Sequence, residues 1–212
     1  MPCVDVFPKG GWSLQMDGGD SDQLCPEARE NFVAEWSEII RTHRKYPCIS
    51  VWVPFNEAWG QFDTKGVVEL TRSLDPSRLV NMASGGNWVS GAGDILDSHH
   101  YVEPYIHHWD PSMVVVLGEY GGVGLPLEDH MWDESGWGYV SRSSSEELNG
   151  KYEEMAAMLP ELVRRGCAAA VYTQTTDVER ELNGLLTYDR EILKVDAARI
   201  AAANASVIKC MD

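Results

Sequence analysis

Two glutamates, Glu57 and Glu119, stand where a chain could do acid–base and nucleophilic work. Ile49, Val51, Trp52 and Val53, lying between Pro47 and Pro54, form a short apolar run rich in β-branched and aromatic side chains. Such a run reads as a strand buried on both faces, as in a parallel sheet. Pro54 ends it, because proline cannot donate to a central ladder. Asn56, Glu57 and Trp59 follow at once. Met113 to Gly122, M-V-V-V-L-G-E-Y-G-G, predicts a second buried strand with Glu119 one glycine past its apolar run. Gly121 and Gly122 then allow a sharp turn. In α/β folds, ligands bind and chemistry occurs at the carboxyl ends of parallel strands. Two carboxylates leaving one sheet edge are what an acid/base and nucleophile pair requires. They lie 62 positions apart, so only tertiary folding can unite them. Taken alone, either could be a surface-loop glutamate.

The elements that must position them follow in order. Pro26 opens a helix with Glu27 and Glu30 at its positive end, and Arg41, Arg44 and Lys45 finish it. Phe32, Trp36, Ile39, Ile40 and His43 recur at helical spacing and predict one core-facing stripe. After the Glu57 strand, Asp63 and Thr64 cap a helix running to about Leu74, with Val67, Val68 and Leu70 inward, and Asp75-Pro76 stops it. Strands are predicted over Arg78 to Ala83 and over Asp94 to Ser98, the latter ending in His99-His100-Tyr101. Irregular chain leads from Tyr101 to the Glu119 strand. The Gly-, Ser- and Trp-rich stretch from Val123 to Ser145 reads as an extended active-site loop. A helix then runs from Ser145 to about Arg165, where Pro160 could kink it and Gly166 closes it. A small-residue strand from Cys167 ends at Tyr172-Thr173-Gln174, and a last helix covers about Glu191 to Ala203. Strands alternating with helices mean a parallel sheet with helices outside. The predicted organisation is a loop-like N-terminal connection over residues 1–25 and one α/β domain over 26–212, in a barrel-like layout.

Composition excludes several classes. The chain of 212 residues is 44% hydrophobic and 24% charged, ordinary for a soluble globular domain. A formal charge of −16 argues against a nucleic-acid partner, which needs clustered Lys and Arg, and against an anionic membrane surface. No stretch reaches the roughly 18 apolar residues of a membrane span, and no signal peptide is visible. Cys3, Cys25, Cys48, Cys167 and Cys210 are an odd, scattered set without a C-x-x-C pair. That favours free, mostly buried thiols over a disulfide framework or zinc site. His99, His107 and His108 do not have the spacing of a metal-ligand set, so neither a metal nor a cofactor is expected. The eight Trp and eight Tyr serve packing first, and a few of them could stack on sugar faces.

Three strings, R-K-Y-P-C-I-S-V-W-V-P-F-N-E-A-W-G, L-G-E-Y-G-G and Y-T-Q-T-T-D-V-E-R-E-L-N-G-L-L-T-Y-D-R, resemble the catalytic barrel of glycoside hydrolase family 2, in that family's order and spacing. That family includes β-galactosidases, β-glucuronidases and β-mannosidases. The resemblance covers roughly Arg41 to Arg190. It implies a partial (β/α)8 barrel, from its fourth to its eighth strand. It also implies Glu57 as general acid/base, Glu119 as nucleophile and Asn56 as hydrogen-bond partner of the sugar 2-hydroxyl. Tyr101 and His100 resemble the neighbours that orient the nucleophile in this clan. Gln174, at the end of the eighth strand, could line the sugar subsite; Trp59, Trp88 and Trp137 are loop tryptophans that could stack on a sugar or serve as core or loop anchors. Asp177, Glu179 and Glu181 read as loop architecture.

The resemblance thus implies a retaining β-glycosidase with a carbohydrate substrate. Two other classes stay open: a non-catalytic sugar-binding or assembly fragment, and an endo-acting glycanase of the same clan, against which the D-V-E-R-E-L-N-G string weighs. Each βαβ unit takes about 30 residues, so the first three strands of a barrel do not fit before Pro26. Met1-Pro2 resembles the family's Asp-Met-Pro turn after its third strand. The expectation is a chain that needs missing N-terminal strands or domains, or self-association, to work.

Overall fold

The computed structural model of the chain describes residue 20, residues 24–56 and residues 60–210. Most of the expected connection over residues 1–25 and two expected site residues, Glu57 and Trp59, therefore lie outside the described residues. The architecture is mixed α/β, with helices and parallel strands. It divides into two compact units, one running up to Asp97 and including His108–Val115, the other comprising Ser98–His107 and the chain from Val116 on.

In the first unit, helix α1 spans Pro26–His43, with proline in its first turn and Glu27 and Arg41 at the ends its dipole prefers. Its buried stripe is narrower than the periodicity predicts. Ile40 is fully buried, whereas Ile39 is 43% exposed and His43 is exposed. Phe32 instead packs against the rings of Phe55 and Phe62, at 5.2 and 5.4 Å between centroids. Strand β1 is Val51–Trp52, and it pairs in parallel with β2, Leu79–Val80. Both are shorter than predicted, and Val53 is 41% exposed, so the Glu57 run is not buried on both faces. Isolated parallel bridges continue the pairing at Asn56 with Ser84 and at Asn81 with Ile95.

Helix α2 spans Thr64–Leu74, with the Asp63 side chain accepting from the Gly66 amide and Val67 and Val68 buried. The predicted stop at Asp75 proves to be a joint. Its carboxylate accepts from Trp52 Nε1 (2.9 Å), Ser77 Oγ (2.6 Å) and Arg78 Nη1 (2.6 Å). Burial pushes this carboxyl up, but the donors Ser77, Trp52 and Arg78 outweigh it and hold it well below the usual carboxylate range. Arg78 also donates to the carbonyls of Ile49 and Tyr46, tying the start of β1 to the start of β2.

Strands β3 (Ile95–His100), β4 (Val114–Gly121) and β7 (Cys167–Thr173) form a sheet in the order β3-β4-β7. The segment read as one long loop contains two short strands, β5 (Val123–Gly124) and β6 (Val140–Ser141), in parallel register. Backbones can approach this closely because Gly124 and Gly138 face each other: a Cβ on Gly138 would lie 2.7 Å from the Gly124 Cα. Helix α3, Ser145–Arg164, is capped by Ser144, contains Pro160, and buries Leu148, Tyr152, Met155, Ala156, Leu159 and Leu162. Gly166, at φ 106°, takes the turn into β7. Cys167 is buried, but Ala168 to Val171 are exposed along this edge strand.

Helix α4 is Ala197–Ile208, displaced from the predicted Glu191–Ala203. Asp196 accepts from the amides of Ala198 and Arg199 and so sets the start. The preceding residues cannot be helical, because Leu193 bridges to Leu186 and Lys194 is drawn into the interior. The cysteine expectation is also corrected. Cys25 is disulfide-bonded, and of the free thiols Cys48 and Cys210 are exposed while only Cys167 is buried. Sequence spacing does not report which sulfurs meet in space. Among the described residues, no helix is long and apolar enough to cross a membrane.

Candidate functional site

Alternation along β4 buries Val115 and Leu117 and, near its end, presents Glu119 and Tyr120 to opposite faces. The strand runs on to Gly121, so Glu119 sits within its last turn of pleat rather than beyond its end. Tyr120 packs against Tyr172 at 5.5 Å, and burial, followed by the neighbouring Tyr152, pushes its phenol up. The Glu119 side chain stays 26% exposed.

Three neighbours converge on that carboxylate. Tyr101, just after β3, donates its hydroxyl to Glu119 Oε2 at 2.6 Å. Thr173, the last residue of β7, donates to the same oxygen at 3.2 Å. His99 Nε2 lies 3.6 Å from Oε1, beyond hydrogen-bond length. No Lys or Arg among the described residues pairs with it. The phenol and hydroxyl donors fix the orientation of the carboxylate and bring no charge of their own. Such a group can act as a nucleophile or as an electrostatic partner for a developing positive centre.

The Tyr101 ring is itself stacked on Tyr139, at 3.6 Å between centroids and 3° between planes. Trp137 meets Tyr139 edge-on at 5.1 Å. Trp137 and Tyr139 are 43% and 40% exposed. Backbone pairing of Trp137 with Arg180 and Leu182 holds this stretch in place, through hydrogen bonds of 2.7 Å.

Of the residues expected from sequence, Tyr101 is brought to Glu119 and His100 is not. Successive strand residues point to opposite faces, and His99 takes the Glu119 side. His100 Nδ1 meets the Glu103 carbonyl, with the ring beside Tyr105 and His107. Gln174 Nε2 donates to Glu181 Oε2 at 2.9 Å and to Asn183 Oδ1 at 2.6 Å, so its amide is held by the loop that follows. Asn56 bridges Ser84 in the first unit and is exposed. Trp88 is 2% exposed and packs edge-on to His108, a core residue rather than a sugar platform. Asp177 is architecture, paired with a buried lysine. Sequence reasoning missed Thr173 and Tyr139 as neighbours of this site. Thr173 stood in a quoted string at a strand end, whereas Tyr139 left no local signal.

Among the described residues, one group with three metal-capable side chains exists: His130, Asp189 and Glu191. Asp189 Oδ1 is already taken by the Thr187 hydroxyl and the Glu191 amide, and Oδ2 by His130. It reads as a loop lock.

No family model matches the chain, and no curated protein is similar to it in sequence. Solved structures do match. The FMN-binding β-glucuronidase of Faecalibacterium prausnitzii L2-6 is similar over 81% of this chain, with TM-score 0.57 and 19% identity. The Ruminococcus gnavus β-glucuronidase is similar over 85%, with TM-score 0.59 and 17% identity. A Bacteroides fragilis protein assigned as a β-galactosidase is similar over 84%, with TM-score 0.58 and 18% identity. The chain spans about a third of each, 31%, 36% and 31% of their lengths respectively. At these identities the likeness is one of fold, and the fold of this chain is glycosidase-like.

Proposed function

We propose that the chain is the C-terminal part of a family 2 (β/α)8 barrel that hydrolyses β-glycosides with retention. Glu119 is the nucleophile and Glu57 the acid/base. The observation that carries this reading is the short hydrogen bond from the Tyr101 hydroxyl to a partly exposed Glu119, which has no Lys or Arg partner among the described residues, at a strand end. In a retaining enzyme the two carboxyls work about 5–5.5 Å apart, one attacking the anomeric carbon while the other protonates the leaving oxygen. Asn56 and Trp59 flank the acid/base in sequence and, with Gln174, belong to the sugar site in this reading. The β-glucuronidase and β-galactosidase names of its structural neighbours support an exo-acting enzyme on aryl or alkyl β-glycosides. They favour this over the endo-glycanase and sugar-binding alternatives.

The reading includes a need for further strands, from N-terminal domains or from a second copy. Two features support it: the span of about a third of its neighbours' lengths, and the exposed Ala168–Val171 edge with the apolar groove of about 480 Å³ beside it.

An activated 2-deoxy-2-fluoro-β-glycoside tests the chemistry, because it needs one glycosylation event rather than turnover. A panel with glucuronide, galactoside and mannoside forms, followed by peptide mapping, is expected to place the label on the peptide holding Glu119. Label on Glu57, or product of inverted configuration, sinks the assignment.

A further inference from the structure

Tyr139 lies 20 positions beyond Glu119 in the chain, and its ring is stacked on the one whose hydroxyl bonds Glu119. A phenol hydroxyl holds a carboxylate only while the ring keeps its angle, since hydrogen bonds weaken steeply off line. The Tyr101 ring lies flat on Tyr139 at 3.6 Å, with planes 3° apart. The support is built into the backbone. Tyr139 N donates to the Gly122 carbonyl at 2.9 Å and Val140 N to the same oxygen at 3.3 Å, three residues after Glu119. Gly122 has φ 63°, and a Cβ there would meet Tyr139 Cδ2 at 2.4 Å and Tyr101 Cδ1 at 3.1 Å. Only glycine leaves room for the two rings to close on each other. Trp137, fixed by its own backbone pairing, braces the far edge of Tyr139.

We propose that Tyr139 is a positioning residue, which clamps the Tyr101 ring so that its hydroxyl stays on Glu119 Oε2. The proposal rests on the reading of Glu119 as nucleophile. A carboxylate that attacks in line must be held to within about half an ångström, and a misplacement of about 1 Å costs roughly a hundredfold in rate. The clamp acts through the Tyr101 ring on which Tyr139 is stacked. Its position ties the attacking group to the stretch between β5 and β6, so that the order of this stretch and the reactivity of Glu119 are one property.

Four variants of the full chain test it: Tyr139→Leu, Tyr139→Phe, Tyr101→Phe and the double variant Tyr139→Leu/Tyr101→Phe. The first readout is exchange of the Tyr101 hydroxyl proton with water, followed by NMR on the signal that Tyr101→Phe removes. Tyr139→Leu is expected to speed this exchange tenfold or more, and Tyr139→Phe, which keeps the stack, to change it less than twofold. The second readout is the rate of Glu119 capture by the fluoroglycoside. It should fall about tenfold in Tyr139→Leu, hold in Tyr139→Phe, and fall no further in the double variant than in Tyr101→Phe. Unchanged exchange in Tyr139→Leu, equal loss in the Leu and Phe variants, or fully additive losses in the double variant overturn the proposal. If Tyr139→Leu does not fold, Tyr139→Met replaces it with the same expectations. Absence of capture in an assembly that supplies the further strands rejects the nucleophile reading alone, since proton exchange still decides whether Tyr139 clamps Tyr101.

Discussion

Asp177 and Glu119 are both carboxylates of the second unit, and their surroundings are opposite. Asp177 is 3% exposed and accepts from the Gly184 amide at 2.8 Å and from Lys194 Nζ at 2.7 Å. Lys194, 1% exposed, completes its donors on the carbonyls of Leu125 and Leu182. Burial pushes the Asp177 carboxyl up and the Lys194 ammonium down, and their contact with each other opposes both shifts. Glu119 keeps solvent on one side, takes its hydrogen bonds from uncharged donors and has no Lys or Arg partner among the described residues. The difference separates two uses of a negative charge. A charge already answered by a buried cation fastens chain segments together, here the β5 end, the 177–185 loop and the approach to α4. A charge that is oriented but unanswered remains available to an electrophile.

The largest effect should come from breaking the fastened pair. Lys194→Met leaves Asp177 buried without its cation, at a cost of about 3–5 kcal/mol, out of a typical folding stability of about 5–15 kcal/mol. For a chain of this size, that corresponds to a melting temperature roughly 6–20 °C lower by circular dichroism. Adding Asp177→Leu should restore only part of it, because the Gly184 amide then loses its acceptor. A loss below about 1 kcal/mol in Lys194→Met would show that the pair does not fasten the fold.

Glu119→Gln should do the reverse. With a partly exposed side chain and no cation to orphan, it is expected to change stability by no more than about 0.5 kcal/mol, while capture by the fluoroglycoside disappears. A strongly destabilised Glu119→Gln would place Glu119 with Asp177, as scaffold.

The smallest effect sharpens the contrast at the surface. Asp133, bonded by Ser135 and then Arg180, and Asp189, bonded by Thr187, Glu191 and His130, both have carboxyls held down at about 2. A folded-state value below the ordinary carboxylate range near 3.9 gives a contribution that is complete above that range. It is lost as pH falls through the folded value. Both groups are solvent-exposed, so the loss should be local: amide exchange at Trp137 and Leu182 should quicken between about pH 4 and pH 2. Quickening that begins above pH 5 would assign those amides to another group.

The elements were largely legible before any coordinates, because their signals are local. Pro26 and Gly166 mark helix ends by backbone chemistry alone, and the Glu119 run declares a strand by composition. The limits of local reading show at α4. A periodic pattern over Glu191–Ala203 gave way to Asp196 as cap and Lys194 as a buried anchor. Nothing near Lys194 in sequence announces that its partner is Asp177.

The site divides the same way. Residue type and strand-end position singled out Glu119, and the family resemblance added Tyr101. Whether His99 or His100 faces Glu119 depends on the phase of β3, which two adjacent histidines leave undetermined. Thr173 and Tyr139 reach the site only because β7 lies beside β4 and because β6 pairs with β5 across facing glycines. The sequence by itself determined which residue types fall near the strand ends and where α1, α2 and α3 begin. The tertiary structure decided which neighbours hold Glu119, because hydrogen bonds and ring contacts act over a few ångströms whatever the separation along the chain.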